Sequence, residues 1–220
     1  MDYAILLRTI NLALQLRIFA PQTNITPYTI SISNTMNTTT QNQLVAAALI
    51  LFAICARLLP GTLIPNFAPV TAVAVFSAFA FSGSRLQYFV PFITMIVSDV
   101  LLAVLTGNAM YLDPTQVVVY ASILLIVALS AFVFKRSSSA LTRAGVTLSG
   151  SVFFFIVTNF AVWAMGTMYP MTYSGFVQCY TMALPFYRNA LVADVFYAAV
   201  LFGAYEVALR LSGQRASVKS

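Results

Sequence analysis

The chain has 220 residues, 60% of them hydrophobic and 7% charged, with a mean hydropathy of +0.90. Soluble domains carry about 25% charged residues, so this composition excludes an ordinary soluble domain and indicates an integral membrane protein. The net charge of +6 comes from basic residues scattered at the ends of apolar runs, which argues against nucleic-acid binding, and the absence of histidine removes the commonest transition-metal ligand and most acid–base schemes.

Residues 1–42 differ in character from the rest. "MDYAILLRTINLALQLRIFA" is apolar, but Arg8 and Arg17 interrupt it, so it is a poor spanning helix and a poor signal-peptide core. It reads as an amphipathic surface helix. The Thr/Asn/Ser-rich stretch that follows has no periodicity and is expected to be disordered. Met36 is an alternative start, because "MNTTTQNQLVAAALIL" reads as a short polar tail leading into a helix.

From residue 43 onward the pattern predicts an all-α, polytopic domain of six transmembrane helices, at 43–59, 66–81, 88–106, 115–134, 145–168 and 190–211, then a cytoplasmic tail at 212–220. The second span is at the lower length limit for crossing about 30 Å of hydrocarbon. Arg85, Lys135, Arg136, Arg143, Arg210, Arg215 and Lys219 fall on one side of these spans, against Arg57 and Arg188 on the other. The positive-inside rule then places both termini in the cytoplasm and the first, third and fifth loops outside the plasma (inner) membrane.

With that orientation the intramembrane polar groups gather toward the outer leaflet. Arg57 closes span one and Asn66 opens span two. Asp99 lies near the middle of span three, Asn159 and Trp163 lie in the outer half of span five, and Arg188, Asn189 and Asp194 lie at the outer entrance of span six. An aspartate at a helix centre costs about 2.5–3.5 kcal/mol on the insertion scale, so Asp99 is expected to face the bundle interior. Arg57 is its candidate ion-pair partner, as Arg188 is for Asp194. Asn159 and Trp163, spaced i, i+4, form with Phe155 a stripe suited to stacking a flat ligand and hydrogen-bonding its edge. The plainer reading makes Asn159 interhelix glue and Trp163 an interfacial anchor. Thr94 and Ser98 are expected to bond their own helix carbonyls.

Two outer loops stand out. "RLLPGTLIPNFAPV" carries Pro60, Pro65 and Pro69 and is expected to be stiff and non-helical, a backbone tolerated at membrane depth where it lines a cavity. The segment 169–189 is expected to be a long loop, with Tyr111 and Asp113 in the third loop. "GFVQCYTMAL" within it suits a short interfacial helix ending at Pro185. Cys55 and Cys179 are too few for a disulfide framework, though a single bridge between them is conceivable. There is no P-loop, H-E-x-x-H or G-x-S-x-G motif, and no cofactor or enzymatic activity is expected.

"RLLP…PNFAPV", "PFITMIVSD", "FFFIVTNFAVW", "MYP", "CYTMALPFYRN" and "ADVFYAAVLFG" together resemble a family of uncharacterised bacterial six-helix proteins of unknown function, described as transport proteins. That family in turn resembles the substrate-capture (S) subunits of energy-coupling factor transporters. The resemblance implies an outward pocket for a vitamin-like small organic molecule, closed by the first, third and fifth loops. It also implies partnership with a transmembrane coupling subunit and two ATPases, and marks Arg57, Asn66, Asp99, Asn159, Trp163, Arg188, Asn189 and Asp194 as candidate binding positions. Such subunits dock through Ala-x-x-x-Ala in span one. That spacing is absent here from span one, but Ala74 and Ala78 carry it in span two. The expected function is therefore substrate capture for micronutrient uptake, with a stand-alone permease or channel, or a structural membrane subunit, as the alternatives.

Overall fold

The computed structural model describes residues 38–61, 64–107 and 113–211. The amphipathic N-terminal segment, the alternative start at Met36, Tyr111 and the tail at 212–220 lie outside these residues. Among the described residues the chain is all-helical: α1 (Thr38–Gly61), α2 (Val70–Ala80), α3 (Leu86–Thr106), α4 (Gln116–Phe134), α5 (Ala140–Met165) and α6 (Tyr173–Leu211). All but α2 are long and apolar enough to cross a membrane.

Helix α2 organises the rest. Its 11 residues rise only about 16 Å, half of a hydrocarbon core. It is apolar all round, as a helix enclosed by others must be, and every residue from 71 to 78 is buried. It touches each of the other five helices. Ala72, Ala74 and Ala78 let those neighbours approach. Ala74 and Ala78 are both fully buried, so this Ala-x-x-x-Ala pair serves packing inside the bundle and presents no face to a partner. From α5, Gly150 is the matching concession: a Cβ there would meet the Thr71 Cγ2 at 2.8 Å and the Ile126 Cγ2 at 3.3 Å.

Helix ends depart from expectation where tertiary packing or backbone chemistry outweighs composition. Helix α1 begins at Thr38, inside the stretch expected to be irregular, because the apolar segment that follows supplies a nucleus onto which polar residues add cheaply. It also runs through Pro60 to Gly61, since a proline's fixed φ is helical and in the last turn it deletes only one bond. Helix α5 begins at Ala140, capped by Ser139, whose hydroxyl accepts from the Thr142 N–H at 3.1 Å. In the loop before α4, Asp113 Oδ1 accepts from the Thr115 N–H (2.8 Å) and hydroxyl (2.7 Å), which hold its carboxyl below the ordinary 3.8.

The largest correction concerns residues 169–189. They are not a long loop. Helix α6 runs unbroken through Pro185 for 39 residues. Its first half lies along α5: Tyr180 donates to the Ile156 carbonyl at 2.7 Å, and Phe155 stacks on Tyr187 with ring centroids 4.3 Å apart. Those contacts bracket Pro185 on its N- and C-terminal sides and hold the helix together across the missing bond, as neighbouring helices do for prolines in membrane bundles. Cys55 is exposed and Cys179 buried, and both are free thiols.

Candidate functional site

A cavity of about 330 Å³ opens at the N-terminal end of α2, lined from all six helices and from the linker between α1 and α2. The linker is irregular from Ile64 to Pro69 as its prolines suggest, and it turns at Asn66, which takes the left-handed φ of 60° that asparagine tolerates better than most residues. Asn189 at 3.1 Å donates its Nδ2 to the Pro65 carbonyl, tying the linker to α6. Four of the eight marked residues, Arg57, Asn66, Asn159 and Asp194, line this cavity.

Asp99 lies behind its wall, fully buried. Both carboxylate oxygens are engaged: Oδ1 by the Arg57 guanidinium at 2.8 Å and Oδ2 by the Tyr120 hydroxyl, which donates at 2.8 Å. Arg57 also donates to the Ser98 hydroxyl. Ser98 and Thr94 in turn donate to their own helix carbonyls, at 2.6 and 2.8 Å. The expected Arg57–Asp99 pair therefore forms, inside a network that satisfies its charges. Such satisfaction is what a buried pair requires.

Asp194 is used differently from the expectation. It makes no pair with Arg188, whose side chain is exposed. Its Oδ1 instead accepts the backbone N–H groups of Thr71 and Ala72, each at 3.1 Å. Helix α2 has no capping side chain of its own, since Pro69 precedes it. A carboxylate from α6 therefore satisfies the first-turn donors and meets the positive end of the helix dipole. A direct contact was preferred because the α2 terminus offers two aligned donors at the depth of Asp194, whereas Arg188 lies more than a full turn away on a different face.

The aromatic–amide stripe is only partly realised. Phe155 and Asn159 line the cavity. Trp163 does not: its indole N–H donates to the Pro170 carbonyl at 3.2 Å, and its ring packs on Phe160 and Phe176, closing the α5–α6 turn. The reason is position along the helix: Trp163 lies two turns, about 12 Å, beyond Phe155, close to the end of α5 at Met165 where the turn takes it up. Asn159 donates its Nδ2 to the Phe155 carbonyl at 2.8 Å, and its Oδ1 has no partner among the described residues.

Several lining residues escaped the sequence reading. Tyr187 lay in the supposed loop; behind the wall Tyr120, which donates to Asp99, was missed as well, because no sequence spacing ties the two. Ser151, Phe154 and Thr158 join the expected Phe155 and Asn159 on one face of α5 at i, i+3, i+4, i+7, i+8, so these three were readable from periodicity. Among the described residues no cluster of three or more His, Cys, Asp or Glu side chains is placed to hold a metal.

No curated protein and no solved structure shows a significant match to the chain. The sequence reading placed it in a family without assigned function, and a family match covering residues 37–216 agrees: the chain belongs to the family of unknown function DUF6580.

Proposed function

We propose that this protein is the substrate-binding subunit of an uptake transporter, capturing a vitamin-like small organic molecule in the cavity beside α2. The observation that carries the reading is the convergence there of Arg57, Asn66, Asn159 and Asp194, four polar residues from three helices and a linker, around about 330 Å³ in an otherwise apolar bundle. Pockets of this kind, mostly apolar with a few converging polar groups, are the usual form of a small-molecule site. The charges at the wall are already matched, Arg57 by Asp99 and Asp194 by the α2 terminus. Recognition therefore falls to the Asn159 Oδ1, the Asn66 amide and the stacked rings of Phe155 and Tyr187. This favours a flat ligand with a polar edge and little net charge over the strongly anionic one that Arg57 alone suggests.

In this reading the termini are cytoplasmic, the cavity faces out of the plasma membrane, and the likeness to energy-coupling factor capture subunits extends to a coupling subunit with two ATPases. Native mass spectrometry of the protein purified in mild detergent is expected to show a co-purified small molecule. Asn159→Leu and Tyr187→Leu should each reduce its retention at least about tenfold, the worth of one lost buried hydrogen bond or stacking contact. Full retention in both variants, with unchanged folding, would remove the cavity as the site. The structural-subunit reading is favoured by the local bonds of Asn159 and Trp163, and it predicts no co-purified molecule at all.

A further inference from the structure

A second cavity, larger than the first, lies between α4 and α5 and runs from the α4–α5 turn up to Gly150, beside α2. It measures about 500 Å³ and is lined by the C-terminal half of α4, including Ile126, Leu129 and Val133, and the N-terminal half of α5, including Gly145, Ser149 and Phe153. Its walls are apolar apart from small hydroxyls. Of these, Ser130 is bonded to the Ile126 carbonyl at 2.6 Å and Thr142 to the serines of the α4–α5 turn. The space exists because α5 carries small residues here: beside Gly145 an added Cβ would meet nothing within 4 Å. Gly150, at the base, lies against Thr71 and Ile126, so the slot ends on α2. Flanking side chains face outward from the bundle, with Leu129 51%, Phe132 53% and Leu148 44% exposed. The lining from 126 to 133 rises about 11 Å along the helix, roughly two-thirds of one leaflet's hydrocarbon.

One end of this slot is the α4–α5 turn, where Lys135 and Arg136 are both exposed. Arg136 rests over the Phe132 ring, 4.5 Å from its centroid, on the outer face of the same helix. The turn carries no acidic residue to neutralise them. Two unmatched cations at the mouth of an apolar slot at a helix end complement an anionic head group with an acyl chain below it. Basic pockets between helices at the membrane face hold such lipids. We infer that the α4–α5 slot is a binding site for an anionic phospholipid, with an acyl chain between Leu129 and Gly145 and the phosphate at Lys135 and Arg136. A second helix from a partner or another copy would use the Gly145–Ser149 spacing, but it would bring nothing to match the two cations.

The test uses the full chain, delipidated in mild detergent and titrated with dioleoyl phosphatidylglycerol or dioleoyl phosphatidylcholine, with bound lipid counted by native mass spectrometry. The wild type is expected to hold phosphatidylglycerol roughly thirtyfold more tightly, the effect of two basic groups at a surface. Lys135→Gln with Arg136→Gln, both at exposed positions, should abolish that preference while leaving weak binding of either lipid. Gly145→Leu, filling open space, should lower retention of both lipids at an unchanged melting temperature. Equal binding of the two lipids by the wild type overturns the inference. So does a preference that survives loss of both charges. A dimer that Gly145→Leu dissociates, with lipid binding untouched, would assign the slot to a second helix instead. These outcomes do not depend on whether the first cavity holds a ligand.

Discussion

Arg57 and Asp99 show what a charged pair costs and gains in a bundle with so few charges. Each alone would be an unmatched ion in an apolar interior. Together, with Tyr120 and Ser98 completing the hydrogen bonds, they are tolerated. Removing one partner is therefore more damaging than removing both. Arg57→Leu or Asp99→Leu is expected to destabilise the protein by about 3–5 kcal/mol, while the double variant should recover most of that loss. Denaturation in detergent of the four proteins measures it, and a double variant no better than the worse single one would show that the pair is not the dominant partner of either side chain. At this scale the sequence was partly legible. An aspartate in mid-span must be paired, and Arg57 at the end of span one was the right partner. The Arg188–Asp194 pairing failed by the same logic, because depth says nothing about which backbone donors a fold will bring alongside. Trp163 falls outside the cavity because a shared face does not mean a shared depth: it sits two turns beyond Phe155, at the end of α5.

Among the elements, α2 had the clearest composition and the least expected behaviour. Its apolar run was visible, but the chain does not announce that 11 residues will be enclosed by five helices or capped from a residue 123 positions away. The cap makes a prediction that separates charge from geometry. Asp194→Asn keeps an oxygen for the Thr71 and Ala72 N–H groups and should leave the first turn of α2 protected. Asp194→Leu strands both donors, at a cost of about 1–3 kcal/mol for a buried unsatisfied group. Hydrogen–deuterium exchange over residues 70–74 reads the difference; equally fast exchange in both variants would mean that the charge, through the helix dipole, matters more than the acceptor. The second half of helix α6 and a short helix before Pro185 were read correctly; that the two are one helix running through Pro185 was missed for the converse reason. Proline and a polar composition mark loops in isolated sequence, but the ring contacts with α5 that override them join residues far apart in the chain.

Across the whole molecule the two ends of α2 do different work. At its N-terminus polar groups surround the first cavity. At its C-terminus Arg143 of α5 reaches over the rings of Phe79 and Phe202, 5.2 Å from each centroid, donates from Nε to the Ser138 carbonyl and pairs with Glu206 of α6 at 2.8 Å. One arginine thus fastens α2, α5 and α6, and most of its contribution comes from the rings and the carbonyl, because Glu206 is 43% exposed and its ion pair is screened. Arg143→Ala should lower stability by about 1–3 kcal/mol, the sum of two partly desolvated ring contacts and a charged hydrogen bond, while Glu206→Gln costs well under 1 kcal/mol. The nine residues from Thr71 to Phe79 put about 12 Å of helix between this fastening and the first cavity. If that cavity is the ligand site, Arg143→Ala will lower the melting temperature yet leave retention of a co-purified molecule unchanged under conditions where the variant stays folded. Loss of the molecule in Arg143→Ala together with its survival in Asn159→Leu would move the site to the other end of α2.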